Sequence, residues 1–451
     1  MIDLAAQRGA ELVAHDRALR LEFAGWREQS SAFDKPFAKH KSQIDLVTIQ
    51  LIEFLDDMQV KNIAADFATQ ELAYSKMLGI YRIWSYFRSK LNLRRDRQFE
   101  KLLRCADELA WDCYRPARTI ALDSGFIELE ALKEPPLVYF IGAASPEAQA
   151  RTTPFIPEGL SDRNMIDFAA LVLSLPVPIV GVPWFQLNHL PALPFVAHEV
   201  GHAVETDFQL TEPTIALFNE LVADPQRREA WLSWRKEVFA DVYACICMGP
   251  AYLVALIDFL LAEKDDIEKE ERLPDNWGNY PTRSLRVLLN LKVLDELHLL
   301  QFAGEPAELG RFLESLARVW FDAYPRYLMP VYGQDINIIV PALLDAQFPA
   351  FGGKPLRDLV AYDQTHLRSS WYLGKDILSK SIFPTEVIDG CPYRALAAAP
   401  ALAHASDAHR YLKAGVQSNV LNELYRAIPA GTRAADPEDN QEARARKAAA
   451  A

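Results

Sequence analysis

A chain of 451 residues is too long for one small hydrophobic core, so it implies two or three packed subregions, or one large domain with an added lobe. Its 50% hydrophobic and 24% charged residues are ordinary for a globular protein, and a net charge of −13 speaks against nucleic-acid binding by the whole chain. Five cysteines with no C-x-x-C pair read as reduced thiols in a cytoplasmic protein.

The opening MIDLAAQRGAELVAHDR has no apolar stretch after a basic start, so no secretory signal is expected and the cytoplasm is the expected location. Residues 1–115 read as an N-terminal helical region. Ser42 and Asp45 have capping-box spacing, and Ile44, Val47, Leu51, Phe54, Leu55 and Met58 follow at helical intervals. Another helix is expected from about Phe67 to Leu91. From Arg82 to Arg104 eight basic residues stand against Asp96 and Glu100 only, interleaved with Trp84, Tyr86 and Phe87. Such a run is either a solvated helix face or a surface for an acidic partner or nucleic acid.

The pattern changes at Pro116. PPLVYFIG at Pro135–Gly142 and PIVGVPW at Pro178–Trp184 are short β-branched or aromatic runs bounded by Pro and Gly, and both read as strands. The prolines of the second place it at a sheet edge, where an extended peptide could add to it; a plain loop-bounded strand is the alternative. The apolar run Phe168–Phe185 is broken by Pro176, Pro178 and Pro183, which excludes it as a membrane span.

Then comes FVAHEVGHAV, Phe195–Val204. On a helix, His198 and His202 lie one turn apart on one face and can reach one metal ion. Glu199, about 100° around the helix, can take a proton from a water at an open coordination position. This is the pattern of a zinc hydrolase. A buried helix carrying two satisfied histidines is the alternative, weakened by the absence of any obvious partner for two imidazoles among Val196, Ala197, Val200, Ala203 and Val204.

Helices are expected from Thr211, from about Gln226 to Met248 with a stop at Gly249-Pro250, and over the apolar Ala251–Ala262, in which Asp258 is out of character. Nine of the ten residues Glu263–Arg272 are charged, a solvated helix end or loop. Leu273–Pro281 is turn-rich, and Thr282 caps a helix to about Phe302. More helices follow to about Leu344, Phe348–Pro355 is a loop, and the chain to Ile428 is mostly helical. Residues 429–451, rich in Ala, Pro and charge, read as a frayed or disordered tail.

A catalytic zinc takes three protein ligands. The Gln226–Met248 helix supplies a candidate in Glu237, 35 residues after His202, with Asp241 one turn on to hold a ligating imidazole by its other nitrogen. Among Trp231, Trp234, Val238 and Val242, two carboxylates must be paired or bound to something.

H-E-x-x-H followed by E-x-x-x-D on a later helix resembles the gluzincin arrangement of thermolysin-like zinc metallopeptidases, and EVFADVYACICMGP is similar to the second motif of the ImmA/IrrE-like regulatory proteases. The resemblance spans roughly Pro178–Ala262. It implies His198, His202 and Glu237 as ligands of Zn2+, Glu199 as general base, Asp241 as the carboxylate behind a ligand, and a protein or peptide substrate. An oxyanion or substrate contact is also implied, for which Tyr280, Arg283, Arg286, His189 and His366 are candidates. The arginines have an alternative role, pairing with the acidic run before them, and His189 and His366 are otherwise loop or lining residues.

The expected fold is mainly α with a small β-sheet (α+β): a zincin-like core over 116–262, between the N-terminal helical region and a C-terminal helical region over 263–428. Partners other than a peptide substrate are not indicated; neither a membrane nor nucleic acid is expected. One alternative is a regulatory or scaffold protein that holds zinc with little or no turnover. Another is a hydrolase of a non-peptide amide, as in peptide deformylase-like enzymes, which take a cysteine ligand upstream; here the nearest, Cys113, is remote.

Overall fold

A computed structural model describes residues 3–31, 37–60, 63, 66–128, 134–142, 147–149, 177–184, 188–271, 278–301, 306–324, 329–380, 383, 391–413 and 415–429. Helices dominate, with one small sheet. The described chain falls into two compact units, one reaching to Leu103 and the other built from Arg104–Gln149 and Ile179–Ile428. The tail expected over 429–451 lies outside the described residues beyond Pro429, as does most of the apolar run from Phe168.

The first unit packs α1 (Leu4–Ser31), α2 (Lys41–Asp57) and α3 (Phe67–Asn92) against one another. Leu12, Leu19, Phe23 and Trp26 recur at helical spacing on the buried face of α1, opposite Ile44, Val47, Leu51 and Leu55 of α2 and Ile80, Trp84 and Phe87 of α3. Ser42 and Asp45 do not open α2. The helix starts at Lys41 after a 3-10 turn, and Asp45 pairs with Arg27 at 3.0 Å and with Lys41. Several cations of the basic run make internal contacts: Arg88 binds Glu22 at 2.6 Å, the buried Arg94 donates to the Lys90 carbonyl, and Arg95 lies over Trp26 and Phe37.

In the second unit α4 (Glu100–Asp123) precedes a sheet of β1 (Leu137–Ile141), β2 (Glu147–Gln149) and β3 (Ile179–Pro183), in the order β1-β3-β2. β3 runs parallel to β1, with Leu137 opposite Ile179, and antiparallel to β2, with Gln149 opposite Ile179. The edge position expected for β3 is therefore wrong: it is the central strand and is buried throughout. Pro178 lies just before the strand and Pro183 at its last residue, so Ile179–Val182 keep every N–H the two ladders need. A peptide cannot add to a strand already paired on both sides.

The helices that follow are α5 (Phe195–Asp207), α6 (Thr211–Leu221), α7 (Pro225–Met248), α8 (Pro250–Leu260), α9 (Lys264–Glu271), α10 (Arg283–Glu296), α11 (Ala307–Ala323), α12 (Met329–Leu344), α13 (Gln364–Lys380), α14 (Tyr393–Ser406), α15 (Ala408–Tyr411) and α16 (Val416–Arg426). α7 begins with Pro225 in its first turn and Asp224 accepting from the Arg227 N–H; it ends at Gly249, whose φ of 55° lets the chain turn directly into α8. Thr282 caps α10 through the Leu285 N–H, but the helix ends at Glu296 rather than near Phe302, because His298 takes φ 57°. α5 packs on one side against β2 and β3 and on the other along α7.

Candidate metal centre

α5 is buried on all sides from Phe195 to Glu205, which is unusual for a helix carrying two histidines and two glutamates in that span. Its approach to α7 depends on Gly201. A Cβ there would stand 2.9 Å from the Cα of Ala240, so only glycine lets the two backbones come this close. The close packing sets Glu237 and Asp241, one turn apart on α7, opposite His198 and His202.

His198 Nε2 is 3.2 Å from Glu237 Oε2, and His202 Nε2 is 3.6 Å from Glu237 Oε1. The two imidazole rings stand 4.8 Å apart at 85°. Among the described residues, His198, His202 and Glu237 are the one group of three potential ligand side chains whose ligand atoms all lie within 4.8 Å of one another. All three are buried, and the cluster could hold a metal ion.

A shell of polar contacts fixes His198. Its Nδ1 is 2.9 Å from Asp241 Oδ1 and 3.0 Å from the Tyr252 hydroxyl, which itself donates to Asp241. An ionised Asp241 only accepts, so the Nδ1 of His198 carries a proton and Nε2 is the nitrogen turned to Glu237 that a metal would take in place of its proton. Asp241 is held in turn by a bidentate Arg286, at 2.9 and 2.6 Å, and by Asn290 at 3.3 Å. Asn290 also donates to the Arg286 carbonyl and accepts from the Cys245 thiol. No such shell supports His202, whose Nδ1 is buried without a hydrogen-bond partner among the described residues.

These surroundings shift the ionisations in opposite directions. Burial works against a charged His198, but Asp241 and Glu237 outweigh it and raise its pKa to about 9. Burial lowers His202 to about 4 and raises Glu199 to about 7. Glu237, although buried, is held well below the usual carboxylate range by His198 and His202, and Asp241 by Arg286 and His198.

The remaining candidates are dispersed. Arg286 is buried with its guanidinium committed to Asp241, its other face 5.5 Å from the half-exposed Tyr280 ring. Burial and the charges of Glu237 and Glu199 raise the Tyr280 pKa, so its hydroxyl lies within the field of the cluster. Arg283 turns to the acidic run, bonding Glu270 through its backbone N–H and, at 2.6 Å, its side chain. His366 faces Asp363 at the start of α13. His189 lies near Asp258 and His404, and burial and His404 lower its pKa. Tyr252 and Asn290 were not anticipated. Tyr252 sits in the apolar PAYLVAL with no polar neighbour in sequence to mark it. Asn290 did carry a signal, a lone amide in an apolar helix four residues after Arg286.

Comparison with protein-family models, with curated proteins and with solved structures gives no match. Among the described residues no helix is long and apolar enough to cross a membrane.

Proposed function

We propose that this chain is a zinc-dependent metallopeptidase of the gluzincin type with a zincin-like core. The observation that carries the reading is the convergence of His198, His202 and Glu237 with Glu199 on the same helix. Two imidazole nitrogens and one carboxylate suit zinc and leave a coordination position for chemistry. Glu199 Oε2 is buried with no hydrogen-bond partner among the described residues, a costly position that suits a group working on water.

When bound, the ion supplies a Lewis acid that acidifies water and polarises a carbonyl. The residues of the chain do the rest. Glu199 takes a proton from water and passes it to the leaving amine, and its burial beside His198 places it to do so. Asp241, Tyr252 and Arg286 hold His198 in one tautomer and orientation. Tyr280 is the candidate donor to the oxyanion of the attacked carbonyl.

The test is Glu199→Gln assayed on a peptide library beside metal analysis. The variant keeps about one zinc per chain, and hydrolysis falls by about 10²–10⁴-fold. Undiminished cleavage by the Gln variant removes Glu199 from the mechanism.

A second reading is favoured by one observation: His198, Glu199 and His202 are only 5%, 3% and 5% exposed. A site so enclosed also suits a regulatory or scaffold protein that holds zinc without turnover. In that case wild type binds zinc and cleaves nothing in the library.

A further inference from the structure

Three side chains unused by the metal centre meet elsewhere in the same unit. His189 stands in the turn before α5, Asp258 is the acid near the end of the otherwise apolar α8, and His404 lies near the end of α14. α14 packs against both α8 and the 3-10 turn Leu190–Ala192 that follows His189.

His189 Nε2 is 3.8 Å from Asp258 Oδ2, and the His189 and His404 rings stand 4.9 Å apart at 85°. This ring pair has nearly the geometry of His198 and His202, at 4.8 Å and 85°. Among the described residues neither imidazole makes a hydrogen bond, and Asp258 acts electrostatically on both of them. Beside His404, at 5.7 Å, is the ring of Tyr411, whose hydroxyl is buried without a partner among the described residues. Two imidazoles and a carboxylate thus meet at the junction of three elements, open to solvent through His189 and Asp258.

We propose that His189, His404 and Asp258 form a second site for a divalent transition-metal ion, separate from the His198–His202–Glu237 centre. Two imidazoles with one carboxylate suit zinc, cobalt or nickel, whereas magnesium and calcium take oxygen ligands. The set is looser than the first, since its three ligand atoms do not all fall within 4.8 Å of one another. This site therefore binds more weakly. An ion here pins the turn that leads into α5 to α8 and α14, and so stiffens the approach to the first centre.

The test is a calorimetric titration of zinc into the full-length, metal-stripped chain. Wild type shows two classes of site. His189→Ala and His404→Ala each abolish the weaker class and leave the tighter one, and Asp258→Asn weakens it by about tenfold. His198→Ala removes the tighter class only, so failure of the second site and failure of the first are read separately. A single class in wild type, or a weaker class that survives both histidine substitutions, overturns the proposal. His404 is half-buried, so its variant is checked by circular dichroism; His189, on a turn, carries the test if α14 is disturbed.

Discussion

Asp241 is the most heavily engaged side chain in the centre, in contact with His198, Tyr252, Arg286 and Asn290 at once. Its neighbours differ in what they do. Arg286 offsets the charge of a carboxylate that is 1% exposed, while Tyr252 adds a donor to an oxygen that already meets the His198 ring at 2.9 Å. Asp241→Asn replaces an acceptor by an amide, leaves Arg286 as an uncompensated buried charge and releases the His198 tautomer. Zinc affinity of that variant falls by about 10–100-fold. Tyr252→Phe keeps the ring and the Asp241–His198 contact, so its loss is under about tenfold. Competition with a chromophoric chelator measures both; equal losses would mean that the hydroxyl, not the carboxylate, orients His198.

The site is assembled by two helices meeting, and Gly201 is what permits the meeting. Gly201→Ala drives a methyl to 2.9 Å from the backbone of α7 and 3.1 Å from the Cβ of Tyr243, neither of which can swing aside. A loss of about 1–3 kcal/mol, the usual cost of overpacking, is expected in urea unfolding, with weaker zinc binding because Glu237 moves with α7. Unchanged stability would show that the helices can separate without cost. At this scale the sequence was legible where one rule governed one element. Pro225 and Gly249 bounded α7, and the i, i+4 spacings of His198 with His202 and of Glu237 with Asp241 brought the right faces together. It was misleading where position within an element mattered. Pro178 and Pro183 were read as properties of all of β3, although they touch only its ends, and the strand is central. Tyr252 and the meeting of His189 with Asp258 and His404 were illegible for a different reason. They depend on which helix packs beside which, and no local periodicity encodes that.

For the molecule as a whole, the metal centre links stability to pH in a way that depends on loading. In the metal-free protein His198 has its pKa raised from 6.5 to about 9, so the folded state keeps a proton that the unfolded chain has lost over that interval. The unfolded state then binds fewer protons, and stability falls as pH rises from about 6.5 to 9. Glu199, raised to about 7, adds to the fall at the lower end of this window, because it too holds a proton that the unfolded chain releases above its ordinary value of 4.5. His202 acts in the opposite sense. Lowered to about 4, it costs stability as pH falls below 6.5, since the unfolded chain then takes up a proton that the buried ring refuses. A zinc ion on His198 displaces the proton responsible for the alkaline slope, and by binding only the folded state it also raises stability as RT ln(1 + [L]/Kd). Thermal unfolding of chelator-treated and zinc-loaded protein from pH 6.5 to 9 therefore diverges: the stripped protein loses stability steadily, and the loaded one holds a nearly level Tm. Parallel curves would place the raised proton on a group other than the ligand His198.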